Sequence, residues 1–194
     1  MVTKFMQSPL TPHKEAADQL LRYLKGIPGQ GILLPVSNNF QLTAYCDSNW
    51  ASCPMTIRST TSFFILLGQS LISRKTKKQV TVSCSSSEAE YRAMTVTTCE
   101  LQWLRYLVHD LGMPHSTPSL LYCDNQAALH IAANSVFHER TKHIELDCHV
   151  TREKIQDGTI RTAYIPSIDQ IADVFTKYLG KDQFQRLKGK ISTL

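Results

Sequence analysis

The chain has 194 residues, 42% of them hydrophobic, enough for one globular core of ordinary size with a short appendage. No run approaches the roughly 18 apolar residues of a membrane span, and the opening MVTKFMQSPLTP lacks the apolar stretch of a secretory signal, so a membrane partner and secretion are both excluded as expectations and an intracellular, cytoplasmic protein is expected. The net charge of +5 is compatible with a polyanionic partner without requiring one. Six cysteines at 46, 53, 84, 99, 123 and 148 are widely separated with no CxxC pair, which reads as reduced core thiols rather than a zinc or redox centre.

Along the chain, Thr11 can cap a helix with Pro12 at its first position, and Ala17, Leu20, Leu21 and Leu24 keep helical spacing until Gly26 and Pro28 stop it. Residues 26–39 are rich in Gly, Pro and Asn and read as a linker. From Phe40 to Cys46, Thr60 to Leu67 and Ser70 to Cys84 the pattern is strand-like, the last stretch interrupted by a lysine turn, so three adjacent strands form an antiparallel meander. A helix from Glu88 to Leu111 is predicted by the spacing of Met94, Leu101, Leu104, Val108 and Leu111. Ser119 to Cys123 is a buried-type strand, after which Asp124 opens an alanine-rich helix to about Asn134. A helix from roughly Glu139 to Gln156, a strand from Thr159 to Ile165, a helix from Ser167 to Tyr178 and a basic helical tail follow. The order βββαβααβα implies an α/β mixed five-stranded sheet with helices on both faces.

Four acids stand where phosphodiester chemistry would want them: Asp47 after the first strand, Glu90 in the first turn of the long helix, Asp124 after the fourth strand and Asp173 in the late helix. Each also has a plain structural reading. Asp47 can form an Asx turn, Asp124 can cap its helix, Glu90 can complete a capping box with Ser87, and Asp173 can be a solvated helix residue. Together they say more, because the first and fourth strands can lie adjacent and parallel and bring Asp47 and Asp124 together at their carboxyl ends. Carboxylates so close need neutralising charge, and two Mg²⁺ ions about 4 Å apart, or Mn²⁺ in their place, would supply it while activating water and stabilising a leaving oxygen.

The blocks AYCDSNWA (44–51), SSSEAEYRA (85–93) and LYCDNQAA (121–128) resemble the ribonuclease H of copia-type retrotransposon Pol polyproteins, and HERTKHI (138–144) and YIPSIDQIADVFTK (164–177) resemble the same family in the same order. LRYLKG (21–26) resembles the end of the preceding polymerase-connection region. The resemblance implies a ribonuclease H-like fold, divided as residues 1–39 from the connection region, 40–180 as the ribonuclease H-like domain and 181–194 as a basic helical tail. It implies hydrolysis of the RNA strand of RNA–DNA hybrids during reverse transcription, in the cytoplasm or in virus-like particles, with the reverse transcriptase part of the polyprotein as a partner. It also implies a catalytic and metal-binding set of Asp47, Glu90, Asp124 and Asp173, with Glu88 and Asp169 as the substitutes for the second and fourth acids.

The chain departs from the family pattern at Asn49 and Met55, where acids are usual, and at Arg74, where tryptophan is usual, so packing along the third strand should differ. These departures leave an alternative in which the chain is a drifted, catalytically inactive fragment that only binds nucleic acid or the polymerase. Lys75, Lys77 and Lys78 form one basic cluster and Arg140, Lys142 and His143 another; both could meet phosphates, and solvated faces explain such runs as well. His138, His143, His149 and Cys148 match no ordinary structural zinc spacing.

Overall fold

The computed structural model describes residues 6–35, 39–113, 116–134 and 145–191. Its centre is a five-stranded sheet in the order β3-β2-β1-β4-β5, formed by β1 (Leu42–Asn49), β2 (Thr60–Leu67), β3 (Ser70–Lys78), β4 (Ser119–Cys123) and β5 (Ile160–Tyr164). The first three strands pair antiparallel, while β4 lies parallel to β1 and to β5. The helices are α1 (Thr11–Lys25), α2 (Ser86–Asp110), α3 (Gln126–Ala133), α4 (Glu145–Gln156) and α5 (Lys181–Lys190). This is the expected mixed sheet, and β1 and β4 are the adjacent parallel pair.

Alternation along the strands divides the side chains between two faces. On one, Leu42, Ala44, Cys46, Phe63, Ile65, Leu121, Cys123 and Ile160 form a continuous core with Tyr91, Met94, Leu101 and Leu104 of α2 and with Ala128, Ala132 and Cys148 of α3 and α4. On the other, Tyr45 stacks on Tyr122 and Phe64 on Phe175, so the segment after β5 covers the sheet there. Arg74 takes part in this second face, its guanidinium 5.9 Å from the Phe175 ring centre. A planar cation over an aromatic face thus occupies the position at which tryptophan was expected.

Several local expectations are corrected. The lysine run 75–78 is not a turn but the second half of β3, in register with Thr60 to Phe63 of β2, and residues 80–84 form no strand. β3 is an edge strand, where lysines obstruct pairing with another chain and their stems can project from the sheet. The predicted helix from Ser167 to Tyr178 is instead two 3₁₀ turns, Ser167–Asp169 and Ile171–Phe175, separated by Gln170 in extended conformation. Helical propensity yields there to Gln170, whose buried amide bonds to the Cys46 carbonyl at 3.0 Å and binds the segment to β1. The α1 helix is capped from Leu10 rather than Thr11, and its apolar residues Leu20, Leu21 and Leu24 stay exposed. Leu111 is the exposed C-cap of α2 rather than a core residue. The early part of the helix predicted from Glu139 lies outside the described residues; α4 begins at Glu145.

Candidate functional site

Asp47 lies inside β1 rather than after it, fully buried, opposite Ser62 of β2. The residue following β4 is Asp124, which does not cap α3; that role belongs to Asn125, whose side chain accepts from the Ala128 amide at 2.9 Å. Freed from capping, Asp124 turns toward Asp47 and accepts a 2.7 Å bond from Ser167 Oγ in the first 3₁₀ turn. The second 3₁₀ turn supplies Asp173, which is 2% exposed. Ser62 Oγ holds this turn by donating to the Ala172 carbonyl at 3.0 Å.

Helix α2 separates the roles of its two early glutamates. Ser85 is the N-cap, accepting from the Glu88 amide at 3.1 Å, and Glu88 accepts from the Cys84 amide at 2.8 Å and pairs with Arg92 at 2.9 Å. The cap therefore uses Ser85, with Glu88 reaching back to the amide before it, and not Ser87 with Glu90. Glu90 begins the buried stripe that continues through Ala93, Met94, Thr97, Leu101 and Leu104. It points to the acid cluster, accepting from the Ser48 amide at 3.1 Å, with Cys123 Sγ 4.0 Å away. Asp169, the substitute for Asp173, is engaged elsewhere, with Arg186 at 2.6 Å and Lys190 at 2.8 Å.

The four expected acids thus converge from β1, α2, the end of β4 and the second 3₁₀ turn. Asp47, Asp124 and Asp173 present carboxylate oxygens within 4.8 Å of one another, and the carboxylate oxygens of Glu90 and Asp124 lie within the same distance of each other and of Cys123 Sγ, so Asp124 belongs to both groups. Burial, the neighbouring Asp47 and Asp124 carboxylates and the hydrogen bond from Lys177 act together on Asp173. Burial dominates, and the carboxyl is pushed up to about 7. Burial and the charges of Asp47, Cys123 and Asp124 likewise raise Glu90 well above the usual carboxylate range. Acids so destabilised as anions are matched to a multivalent cation that would compensate both burial and mutual repulsion.

Three side chains at the site had been given no role in advance. Ser167 and Thr176 donate to Asp124 and Asp47 respectively, and Lys177 places its ammonium 2.7 Å from Asp173, 3.1 Å from Asp47 and 4.0 Å from Asp124. Burial opposes the lysine charge, but the Asp47, Asp173 and Asp124 carboxylates outweigh it and raise its proton affinity. The four-residue step from Asp173 to Lys177 was the only hint in the sequence. Asn49, where an acid was expected, donates to the Thr176 carbonyl at 2.8 Å and so steadies the same segment.

Beside the acid cluster, a cleft of about 400 Å³ is lined by Lys75, Lys77, Lys78, Gln79 and Arg92 among others. Gln79 connects the two regions, since its Nε2 donates to Thr61 Oγ1 and the Ala89 carbonyl at 2.9 Å and reaches Ser48 Oγ at 3.4 Å. The second basic cluster, Arg140, Lys142 and His143, lies outside the described residues, as do His138 and any geometry it would share with His149.

No protein-family model matches the chain. It is 40% identical over 190 residues to the retrovirus-related Pol polyprotein from transposon RE1 of Arabidopsis thaliana, covering 98% of this chain. It is 41% identical over 193 residues to that from transposon RE2 of the same plant, and 33% identical over 188 residues to that from transposon TNT 1-94 of Nicotiana tabacum. The chain spans 13% of the length of each Arabidopsis relative. Among solved structures, LC11-RNase H1 in complex with RNA/DNA hybrid superposes with a TM-score of 0.51 at 13% identity, covering 70% of this chain and 93% of that one. The chain is therefore a homologue of one segment of the Pol polyproteins of copia-type transposons, and its fold is that of ribonuclease H.

Proposed function

We propose that the chain hydrolyses the RNA strand of RNA–DNA hybrids in a reaction dependent on divalent metal, with Asp47, Glu90, Asp124 and Asp173 as the metal-holding set. The observation that carries this reading is the meeting of four acids from distant parts of the sequence, three of them with oxygens within 4.8 Å. Their donor chemistry fits Mg²⁺ or Mn²⁺, because hard carboxylate oxygens predominate and their repulsion calls for positive charge. Two such ions would supply a water ionised near neutral pH and charge to stabilise the departing oxygen.

The chain's own residues prepare that chemistry. Thr176 and Lys177 orient Asp47, Ser167 orients Asp124, and the Ser48 amide orients Glu90, so the carboxylates are held before substrate arrives. Lys75, Lys77 and Arg92 border the adjoining cleft, which suits contacts with the phosphates of a hybrid. Selectivity for an RNA strand would come from its 2′-hydroxyls. The reverse transcriptase part of the polyprotein is the proposed protein partner, and the exposed Leu20, Leu21 and Leu24 of α1 support a contact there. All six cysteines are free thiols, which suits an intracellular setting.

The test is incubation of the purified chain with labelled RNA–DNA hybrid and Mg²⁺ or Mn²⁺, beside RNA duplex, DNA duplex, an EDTA control and an Asp47→Asn variant. Metal-dependent loss of only the hybrid's RNA strand, abolished in the variant, is expected. A folded chain that binds hybrid at low salt and leaves it intact with either metal would replace this reading with that of an inactive, nucleic-acid-binding copy.

A further inference from the structure

The acid cluster already contains a cation of its own. Lys177 Nζ stands between Asp173, Asp47 and Asp124, at 2.7, 3.1 and 4.0 Å, and these are the same three residues whose oxygens lie within 4.8 Å of one another. An ammonium and a divalent ion drawn to those oxygens would compete for one small volume and repel each other across it. The lysine can yield. Its side chain is 36% exposed while those of Asp47, Asp124 and Asp173 are 0%, 9% and 3% exposed, so the acids are fixed in the protein and the cation reaches solvent. The backbone need not move, because Asn49 holds the Thr176 carbonyl and Thr176 Oγ1 holds Asp47. Only the flexible four-carbon stem has to turn outward.

We infer that Lys177 is an internal counter-ion that occupies the divalent-cation position of the metal-free protein and is displaced from it by metal, so that it sets the metal affinity of the site. The inference rests on the metal-dependent reading above. Lys177 is accordingly a positioning residue in the metal-free state, keeping three buried carboxylates together that would otherwise repel. It makes the site selective by charge density, because a divalent ion can displace the ammonium where a monovalent ion gains little by doing so.

The test combines two readouts that do not depend on cleavage. Calorimetric titration of Mg²⁺ into the wild-type chain, Lys177→Met and Asp47→Asn, each checked for folding by circular dichroism, measures affinity. Acetylation of lysines by acetic anhydride, read by mass spectrometry with and without saturating Mg²⁺, measures the freedom of Lys177 in the wild-type chain against exposed Lys14. Removing the competing ammonium should tighten Mg²⁺ binding by about tenfold, or about 1.4 kcal/mol, and Mg²⁺ should raise Lys177 acetylation severalfold while leaving Lys14 unchanged. Equal or weaker binding in a folded Lys177→Met chain overturns the inference. So does unchanged Lys177 labelling in a wild-type chain that binds Mg²⁺, a result that stands even where the variant does not fold. Failure of the wild-type chain to bind Mg²⁺ at all removes the metal-dependent reading itself, and this inference with it.

Discussion

Gln170 joins the stability of the fold to the position of a candidate metal ligand, and replacing it separates the two. Its side chain is fully buried, donating through Nε2 to the Cys46 carbonyl at 3.0 Å and accepting through Oε1 from the Ala172 amide at 3.3 Å. It therefore fastens the turn that carries Asp173 to the strand residue just before Asp47. Gln170→Met keeps the length and roughly the volume of the side chain while removing both bonds. Leaving a buried backbone group without a partner costs about 1–3 kcal/mol, so two such groups give a loss of about 2–6 kcal/mol, the lower values applying if water reaches either group. At about 2–4 °C per kcal/mol for a chain of this size, the melting temperature should fall by about 4–24 °C. Cleavage of RNA–DNA hybrid, assayed well below the variant's melting temperature, should fall by about a hundredfold if Asp173 shifts by about 1 Å. Circular dichroism melts and initial rates at saturating Mg²⁺ provide the two readouts. An unchanged melting temperature would refute the hydrogen-bond accounting, and a lowered one with wild-type cleavage would show that the turn does not position the site.

The two early glutamates of α2 should behave oppositely. Glu88→Gln weakens the cap and the Arg92 pair, lowering stability by about 1 kcal/mol with cleavage retained, whereas Glu90→Gln should abolish cleavage without lowering the stability of the metal-free protein; urea melts and hybrid cleavage distinguish them. The pH dependence follows from Asp173, raised to about 7, and from Glu90, raised in the same direction. Each carboxyl binds its proton more tightly folded than unfolded, so this stabilisation is complete below the ordinary carboxylate range; the part due to Asp173 is lost as pH rises through about 7, and the part due to Glu90 is lost in the same direction. The metal-free chain should melt at lower temperature at pH 8 than at pH 5, with Mg²⁺ removing most of the difference, and the opposite slope in thermal scans would contradict the burial argument. Lys75→Ala with Lys77→Ala should weaken hybrid binding and flatten its dependence on salt by about one to two units of logarithmic slope, measured by fluorescence anisotropy with labelled hybrid.

Much of this architecture was legible from local pattern. Period-two alternation at the start of β1, the helical stripe of α2 and the apolar runs of β2 and β4 depend on which faces are buried, and neighbours in sequence reveal that directly. Three ordered motif blocks around Asp47, Glu90 and Asp124 pointed to the acids that meet in the structure. Ambiguity persisted wherever two residues had equal local claims. Glu88 and Glu90 both open the same helix, and only the Ser85 cap, with Glu88 turned back to the Cys84 amide, directs Glu90 to the cluster. Asp169 and Asp173 looked alike at helical spacing, until the Gln170 bond to β1 broke the helix in two and sent one acid toward α5 and the other toward Asp47.

By itself, then, the sequence determined the order of strands and helices, the buried faces and the identity of four candidate acids, because these follow from periodicity and motif within a few residues. Tertiary structure alone decided that Lys75, Lys77 and Lys78 extend an edge strand, that Arg74 lies over Phe175, and that Lys177 stands among three aspartates. Each of these depends on partners far away in the chain: β2 offers the lysines a register, Phe175 offers the arginine a ring, and the parallel pairing of β1 with β4 creates the negative charge that draws the ammonium inward. Spacing along the chain hints only at the pair of Lys177 with Asp173; the attraction to Asp47 and Asp124 arises only after the sheet has brought the charges together.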